Sequence, residues 1–143
     1  QGPLMEEMKE KVKILGIEDS VNFLGQRNDI NELYQVMDLF LFPSLYEGLG
    51  MVAVEAQVSG LPCVVSTEIP KIAKVTKKIT FINLENKIEI WTEIIFKYLK
   101  NINRKNINFT DGIKKYDIIK ETTKFEKKYL NSYKRNEIKN GQN

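Results

Sequence analysis

Two carboxylates, Glu47 and Glu55, stand with seven residues between them, and Gly48 and Gly50 lie in that interval. An ionised carboxylate only accepts hydrogen bonds, so both side chains suit the hydroxyls of a ligand. The two glycines allow a ligand to come close to the backbone. If a helix follows Gly50, the free backbone N–H groups at its N-terminus and the helix dipole favour an anion such as phosphate. Glu55 is the one ionisable group on an otherwise mostly apolar segment, 52–58. A helix apolar nearly all round is a buried helix. A carboxylate buried there without a partner costs several kcal/mol, so Glu55 is expected to face a polar partner or a ligand cleft. Two further readings stay open for the pair. It could be the acid and nucleophile of a glycoside hydrolase, or a surface loop residue and a partnered core carboxylate.

These residues need elements to hold them. Leu39-Phe40-Leu41-Phe42 is an apolar run stopped by Pro43, which reads as a buried strand. The helix over 52–58 ends at Ser59-Gly60, with Pro62 just beyond. Pro62-Cys63-Val64-Val65-Ser66 is the next strand, Ile72-Ala73-Lys74-Val75 is one helical turn, and Thr80-Phe81-Ile82 is the last strand. Upstream, Pro3 opens a helix carrying Met5, Met8, Val12 and Leu15 on one side, with Gly16 as its stop. Val21-Asn22-Phe23-Leu24 reads as a short strand ending at Gly25. Asn28-Asp29 caps a helix from Ile30, with Leu33, Val36 and Met37 turned towards the sheet. Downstream, Ile88, Trp91, Ile94, Ile95 and Tyr98 mark an amphipathic helix over 86–101, where Trp91 is read as packing. Residues 101–111 are an Asn-rich loop, and Asp117 caps a final helix to about Ser132. Strands alternating with helices imply an α/β fold, a Rossmann-like parallel sheet with helices on both faces. Ligands bind such sheets beyond the carboxyl ends of the strands, so the loops at Gly25-Gln26-Arg27 and 44–50 are expected on one rim.

At 143 residues, 42% hydrophobic and 29% charged, the chain has the size and composition of one globular domain. It contains no histidine and one cysteine. That excludes Ser-His-Asp and Cys-His nucleophile systems, H-E-x-x-H zinc sites and Cys-rich zinc sites within this chain. Cys63 reads as a packed thiol in a buried strand, and a single cysteine allows no disulfide within the chain, which suits the cytoplasm. Charge is uneven. Residues 1–99 hold ten Lys/Arg against fourteen Asp/Glu, a net −4, and residues 100–143 hold twelve against five, a net +7. A basic C-terminal stretch is either a solvated helix face or a surface for an anionic partner.

The sequence around the two glutamates resembles a family. Glu47 and Glu55 match the E-x7-E motif of the retaining GT-B glycosyltransferases of group 1, and the flanking Pro43-Ser44, Glu47-Gly48, Glu55-Ala56 and Gly60-Leu61-Pro62 match its surroundings. Gly2-Pro3-Leu4, Val21-Asn22-Phe23-Leu24-Gly25, Asp38-Leu39-Phe40-Leu41-Phe42-Pro43 and Tyr116-Asp117-Ile118 resemble its other landmarks. The resemblance covers residues 1–135 and is looser over 85–115. It implies transfer of a sugar, with retention, from a UDP- or GDP-sugar to a glycan or lipid-linked acceptor in capsule or exopolysaccharide synthesis. By resemblance, Glu47 is the catalytic residue and binds donor-sugar hydroxyls. Backbone N–H groups of Gly48, Leu49, Gly50 and Met51 meet the sugar or the phosphates, Glu55 binds the ribose, and Gly25 and Arg27 lie near the base. The family uses no metal and no further cofactor.

The same resemblance implies an N-terminal acceptor domain and a diphosphate-binding Arg–Lys pair upstream of Gln1, so the chain is expected to be a C-terminal piece of a longer protein, or the product of a truncated gene, and inactive alone. Residues 1–133 are then a partial donor-binding domain and 134–143 a disordered basic tail. The expected location is the cytoplasm, with peripheral contact at the inner face of the plasma membrane and no nucleic-acid partner. A nucleotide-sugar-binding module without catalysis is the alternative function, and a basic interaction domain over 100–143 is a third.

Overall fold

The computed structural model describes residues 2–101 and 111–140. They form two units, divided after Gln35. Each is described by itself.

In the first unit, α1 (Met5–Ile14) carries Glu6 and Glu7 in its first turn and Lys11 and Lys13 in its last, which complements the helix dipole. Met5, Met8 and Val12 of the expected stripe are half-buried, while Leu15, expected on it, is 59% exposed. A 3-10 turn, Glu18–Ser20, comes next. The expected strand at 21–24 is not formed. Val21 is extended, at φ −124° and ψ 120°, but the stretch has no ladder partner among the described residues, and extended backbone alone makes no sheet. Helix α2 (Ile30–Val36) leads out of the unit. Tyr34 is its buried residue, while Val36, expected to turn inward, is 76% exposed. Leu33, also expected to turn inward, is half-buried.

The second unit is built on a three-stranded parallel sheet in the order β1-β2-β3: Phe40–Phe42, Cys63–Ser66 and Ile79–Ile82. Cys63 pairs with Phe40 on one side and Ile79 on the other. Helix α3 (Met51–Val58) connects β1 to β2. It stops as its sequence says it should. Gly60, at φ +88°, lets Leu61 N–H reach back to Ala56 O and Gly60 N–H to Gln57 O, both at 3.0 Å. Pro62 then enters β2, and its carbonyl accepts from Phe40 N–H at 2.9 Å. The link from β2 to β3 holds the 3-10 turn Lys71–Ala73.

Alternation along β2 sends Val64 and Cys63 to opposite faces. On the Val64 face lies α4 (Ile88–Leu99), whose Trp91 packs against Val64 and Ile82 and is 6% exposed. The reading of Trp91 as packing holds. Tyr98 OH meets Thr80 Oγ1 at 2.8 Å on that side. On the other face, Lys71 Nζ sits 3.6 Å above the Phe81 ring, and the turn that carries it is bound to α3 through Gln57. Elements thus lie on both faces of the sheet, as expected of this α/β class, but β1, expected to be buried, is only partly so: Phe40 and Phe42 are half-buried and Leu41 is 46% exposed.

After the 3-10 turn Asp111–Tyr116, α5 (Ile118–Asn140) closes the described chain. Asp117 caps it, with Oδ1 accepting from Lys120 N–H at 3.2 Å. The helix runs past the end expected near Ser132, so the backbone of 134–140, expected as part of a disordered tail, is helical. Residues 141–143 of that tail, and most of the Asn-rich loop, lie outside the described residues.

Candidate functional site

Strand β1 delivers the chain to a loop that is anchored at its start. Ser66 Oγ, at the end of β2, donates to Ser44 O at 2.6 Å. Ser44 Oγ in turn lies 3.0 Å from Tyr46 O and 3.3 Å from Glu47 Oε1. Its one proton is shared between those acceptors, which holds the half-buried Glu47 carboxylate against the loop's own base. The carboxylate keeps the rest of its lone pairs for other donors. Leu45 and Tyr46, 82% and 85% exposed, point away from the fold.

The loop ends at Gly50, in the left-handed conformation at φ 69°, ψ 41°, one residue before α3. A Cβ there would come within 3.0 Å of Ile69 Cγ2, so the position is closed to a side chain by conformation and by space. Gly48 differs, because a Cβ on it would meet nothing within 4 Å. The fold itself requires only the second glycine. Because Gly50 brings no side chain, α3 starts without a capping side chain, and the positive end of its dipole opens on the Glu47 loop.

Helix α3 is two-sided, which corrects the expectation of a helix buried all round. Ala53, Val54, Ala56 and Gln57 are buried, while Met51, Val52 and Val58 are 44%, 39% and 45% exposed. Glu55 belongs to the exposed set. Spacings of three and four residues put it on one face with Met51, Val52 and Val58. It therefore faces outward, on the side of α3 opposite the buried set.

The buried polar group of α3 is Gln57, two residues further on, which the sequence reading passed over. Its Nε2 donates to Ala53 O and Ala73 O, both at 2.8 Å. Its Oε1 accepts from Val75 N–H at 3.1 Å, Thr76 N–H at 3.0 Å and Thr76 Oγ1 at 3.2 Å. One side chain thus binds the β2–β3 connection, which includes Ile69, to the helix that Gly50 starts. Ser44 and Ser66 were also missed. The signal for Gln57 is a polar residue at i+4 from Ala53 on the buried side; nothing local signals Ser66, twenty-two residues from its partner.

Cys63 is fully buried, and burial pushes its thiol from 9.0 up to about 12. It is a packed residue, as expected. Gly25 and Arg27 belong to the first unit, and Glu47, Gly48, Leu49, Gly50, Met51 and Glu55 to the second. Within the first unit, Gly25 takes φ +65°. The Arg27 guanidinium is paired with Asp29, its Nε donating to Oδ1 at 2.7 Å. This hydrogen bond and the charge of Asp29 raise the Arg27 pKa, and the bond to Arg27 lowers that of Asp29.

A glycine-capped helix after a parallel strand, with a carboxylate held in the connecting loop, is a place for a polyhydroxylated, anionic ligand. Comparison with known proteins gives the family. Residues 1–108 match the family model described as "Glycosyl transferases group 1". The chain belongs to that family. It is 42% identical over 95 residues to the "Putative glycosyltransferase EpsF" of Bacillus subtilis, covering 66% of this chain and 25% of that protein. It is 39% identical over 66 residues to the "UDP-Gal:alpha-D-GlcNAc-diphosphoundecaprenol alpha-1,3-galactosyltransferase" of Escherichia coli, covering 46% of this chain and 17% of that one. Among solved structures it is similar to WaaG, a GT-B glycosyltransferase involved in lipopolysaccharide biosynthesis, with TM-score 0.58 and 26% identity over 67% of this chain and 26% of WaaG. The chain spans about a quarter or less of the length of these relatives.

Proposed function

We propose that this chain is the donor-binding part of a retaining hexosyltransferase. It takes a UDP- or GDP-sugar and serves transfer to a glycan or lipid-linked acceptor in bacterial polysaccharide synthesis, capsule or exopolysaccharide. Glu47 accepts hydrogen bonds from donor-sugar hydroxyls. The backbone from Gly48 to Met51, at the uncapped start of α3, takes the sugar and the diphosphate. Glu55, on the outward face of the same helix, takes the ribose hydroxyls. As the glycosidic bond breaks, negative charge grows on the leaving diphosphate, and the helix terminus supplies part of its stabilisation. The proposed chemistry calls for no metal and no further cofactor, and its site is cytoplasmic.

The observation that carries this reading is the Ser44–Glu47 contact beside Gly50 at the head of α3, in a chain of a glycosyltransferase family. The lipid-linked acceptor rests on the E. coli relative, whose name gives a diphosphoundecaprenol acceptor and a UDP-Gal donor. A nucleotide-sugar-binding module without turnover of its own is the second reading, because the chain covers so small a share of its relatives. Calorimetric titration of the chain with UDP, GDP and their hexose conjugates, run beside a transfer assay of the whole protein that carries it, separates the two. Binding with transfer supports the first, and binding without transfer the second. No binding to any of these ligands contradicts both.

A further inference from the structure

The ladder between β1 and β2 runs out where β1 meets a proline. Phe42 pairs with Val65, and the next residue, Pro43, has no N–H to offer β2. One step further the join passes to a side chain. Ser66, the last residue of β2 and fully buried, donates its hydroxyl proton to Ser44 O at 2.6 Å. Its carbonyl accepts from Ile69 N–H at 3.2 Å, closing a turn that sets the buried Ile69 against Gly50. There Ile69 Cγ2 fills the space that a Gly50 Cβ would need. One residue thus reaches both ends of the loop between β1 and α3, the start through its hydroxyl and the end through its carbonyl.

The two ends carry different parts of the site. At the start, Ser44 Oγ lies 3.3 Å from Glu47 Oε1, so the carboxylate stands where the Ser44 residue holds it. At the end, the N–H groups at the head of α3 are set by Gly50 and by the helix itself, and the Ser66 hydroxyl touches neither. A ligand with hydroxyls at one end and phosphate at the other engages both parts at once, and its affinity depends on their being held in register beforehand. We infer that Ser66 is a positioning residue of the donor site: without touching ligand, its hydroxyl fixes the Glu47 carboxylate relative to the start of α3. The inference rests on the donor-site reading proposed above. Ser44 is half-buried, so its carbonyl turns to water when the Ser66 donor is removed, and the loop is loosened rather than unfolded.

The test is calorimetric titration of the chain with UDP, GDP and their hexose conjugates. It is run on the native sequence, Ser66→Ala, Ser66→Cys, Ser44→Ala and the Ser44→Ala/Ser66→Ala double variant, with circular dichroism to show that each is folded. Ser66→Cys fills the same place with a weak donor. The native chain should bind the sugar conjugate more tightly than the bare diphosphate. Ser66→Ala and Ser66→Cys should each cut that preference by about threefold and leave affinity for the bare diphosphate unchanged. Ser44→Ala should cut it as well, and adding Ser66→Ala should cut it no further, because Ser66 acts through Ser44. A preference kept in full by both Ser66 variants overturns the inference and leaves the donor-site reading standing. Equal loss for conjugate and bare diphosphate, or additive losses in the double variant, overturns it too. A native chain without preference for the conjugate overturns the donor-site reading and the inference with it.

Discussion

Replacing Gln57 by Met keeps the length of the side chain and removes all its hydrogen-bonding atoms. In the native chain the carboxamide makes five hydrogen bonds, to Ala53, Ala73, Val75 and Thr76. They do not count equally. Ala53 O keeps its place in the α3 ladder, and the Thr76 hydroxyl loses Gln57 Oε1 as its acceptor but still accepts from Lys78 N–H at 3.2 Å. The groups stranded are Ala73 O and the N–H groups of Val75 and Thr76, on residues at most 2% exposed. An orphaned buried group costs about 1–3 kcal/mol, so three give about 3 kcal/mol at least if the segment stays closed. Opening of the 73–76 segment to water limits the rise, and the thioether returns roughly 1 kcal/mol of apolar burial. The expected net loss is therefore about 2–5 kcal/mol. With a urea m-value of about 1–3 kcal/mol/M, the unfolding midpoint should fall by at least about 0.7 M. Urea unfolding followed by Trp91 fluorescence measures this, since Trp91 packs on the same sheet. A loss below about 0.5 kcal/mol would refute the view that Gln57 binds the β2–β3 connection to α3.

Gly50→Ala should destabilise the same unit by about 1–2 kcal/mol from the left-handed backbone alone, with more from the contact at Ile69. Combining it with Ile69→Ala should show positive coupling in a double-mutant cycle of urea midpoints, and strict additivity would deny the contact. Cys63, with its thiol at about 12, should resist iodoacetamide at pH 8 in the folded chain and react once urea unfolds it; mass spectrometry reads both. Asp117 has its pKa lowered by the hydrogen bond to Lys120, so its cap is in force above the unfolded value of about 3.9. It is lost as pH falls through the lower folded value. The acid limb of the helix signal in circular dichroism should flatten in Asp117→Asn, and an unchanged limb would contradict the cap.

What could be read in the sequence was what local pattern dictates. Leu39-Phe40-Leu41-Phe42 followed by Pro43 placed β1, and the spacing of Ile88, Trp91, Ile94 and Ile95 placed α4 and its inner face. The Gly60-Pro62 exit placed the end of α3. The phase of α3 was not legible. Eight residues that are apolar on nearly every side show no preferred face, so Glu55 was read as the polar residue to be accommodated when the buried one is Gln57. The hydrogen bond from Ser66 to Ser44, and the network that Gln57 makes with residues 73–76, depend on strand order and have no sequence signature. The alternation of 21–24 suggested a strand, but a strand exists only where a neighbour pairs with it. For the site, residue types and the loop-to-helix turn were legible from Glu47, Gly50 and the resemblance. The serine that holds Glu47 was not.

The central claim is that the Glu47 carboxylate grips the sugar of a nucleotide-sugar donor at the head of α3. Calorimetric titration of the chain and of Glu47→Gln, with a nucleoside diphosphate and with its sugar conjugate, tests it most directly. A hydrogen bond to a charged acceptor exceeds a neutral one by about 1 kcal/mol. Glu47→Gln should therefore lower affinity for the sugar conjugate by roughly fivefold to tenfold and leave that for the bare diphosphate unchanged. Equal affinity of the two proteins for the conjugate would contradict the account.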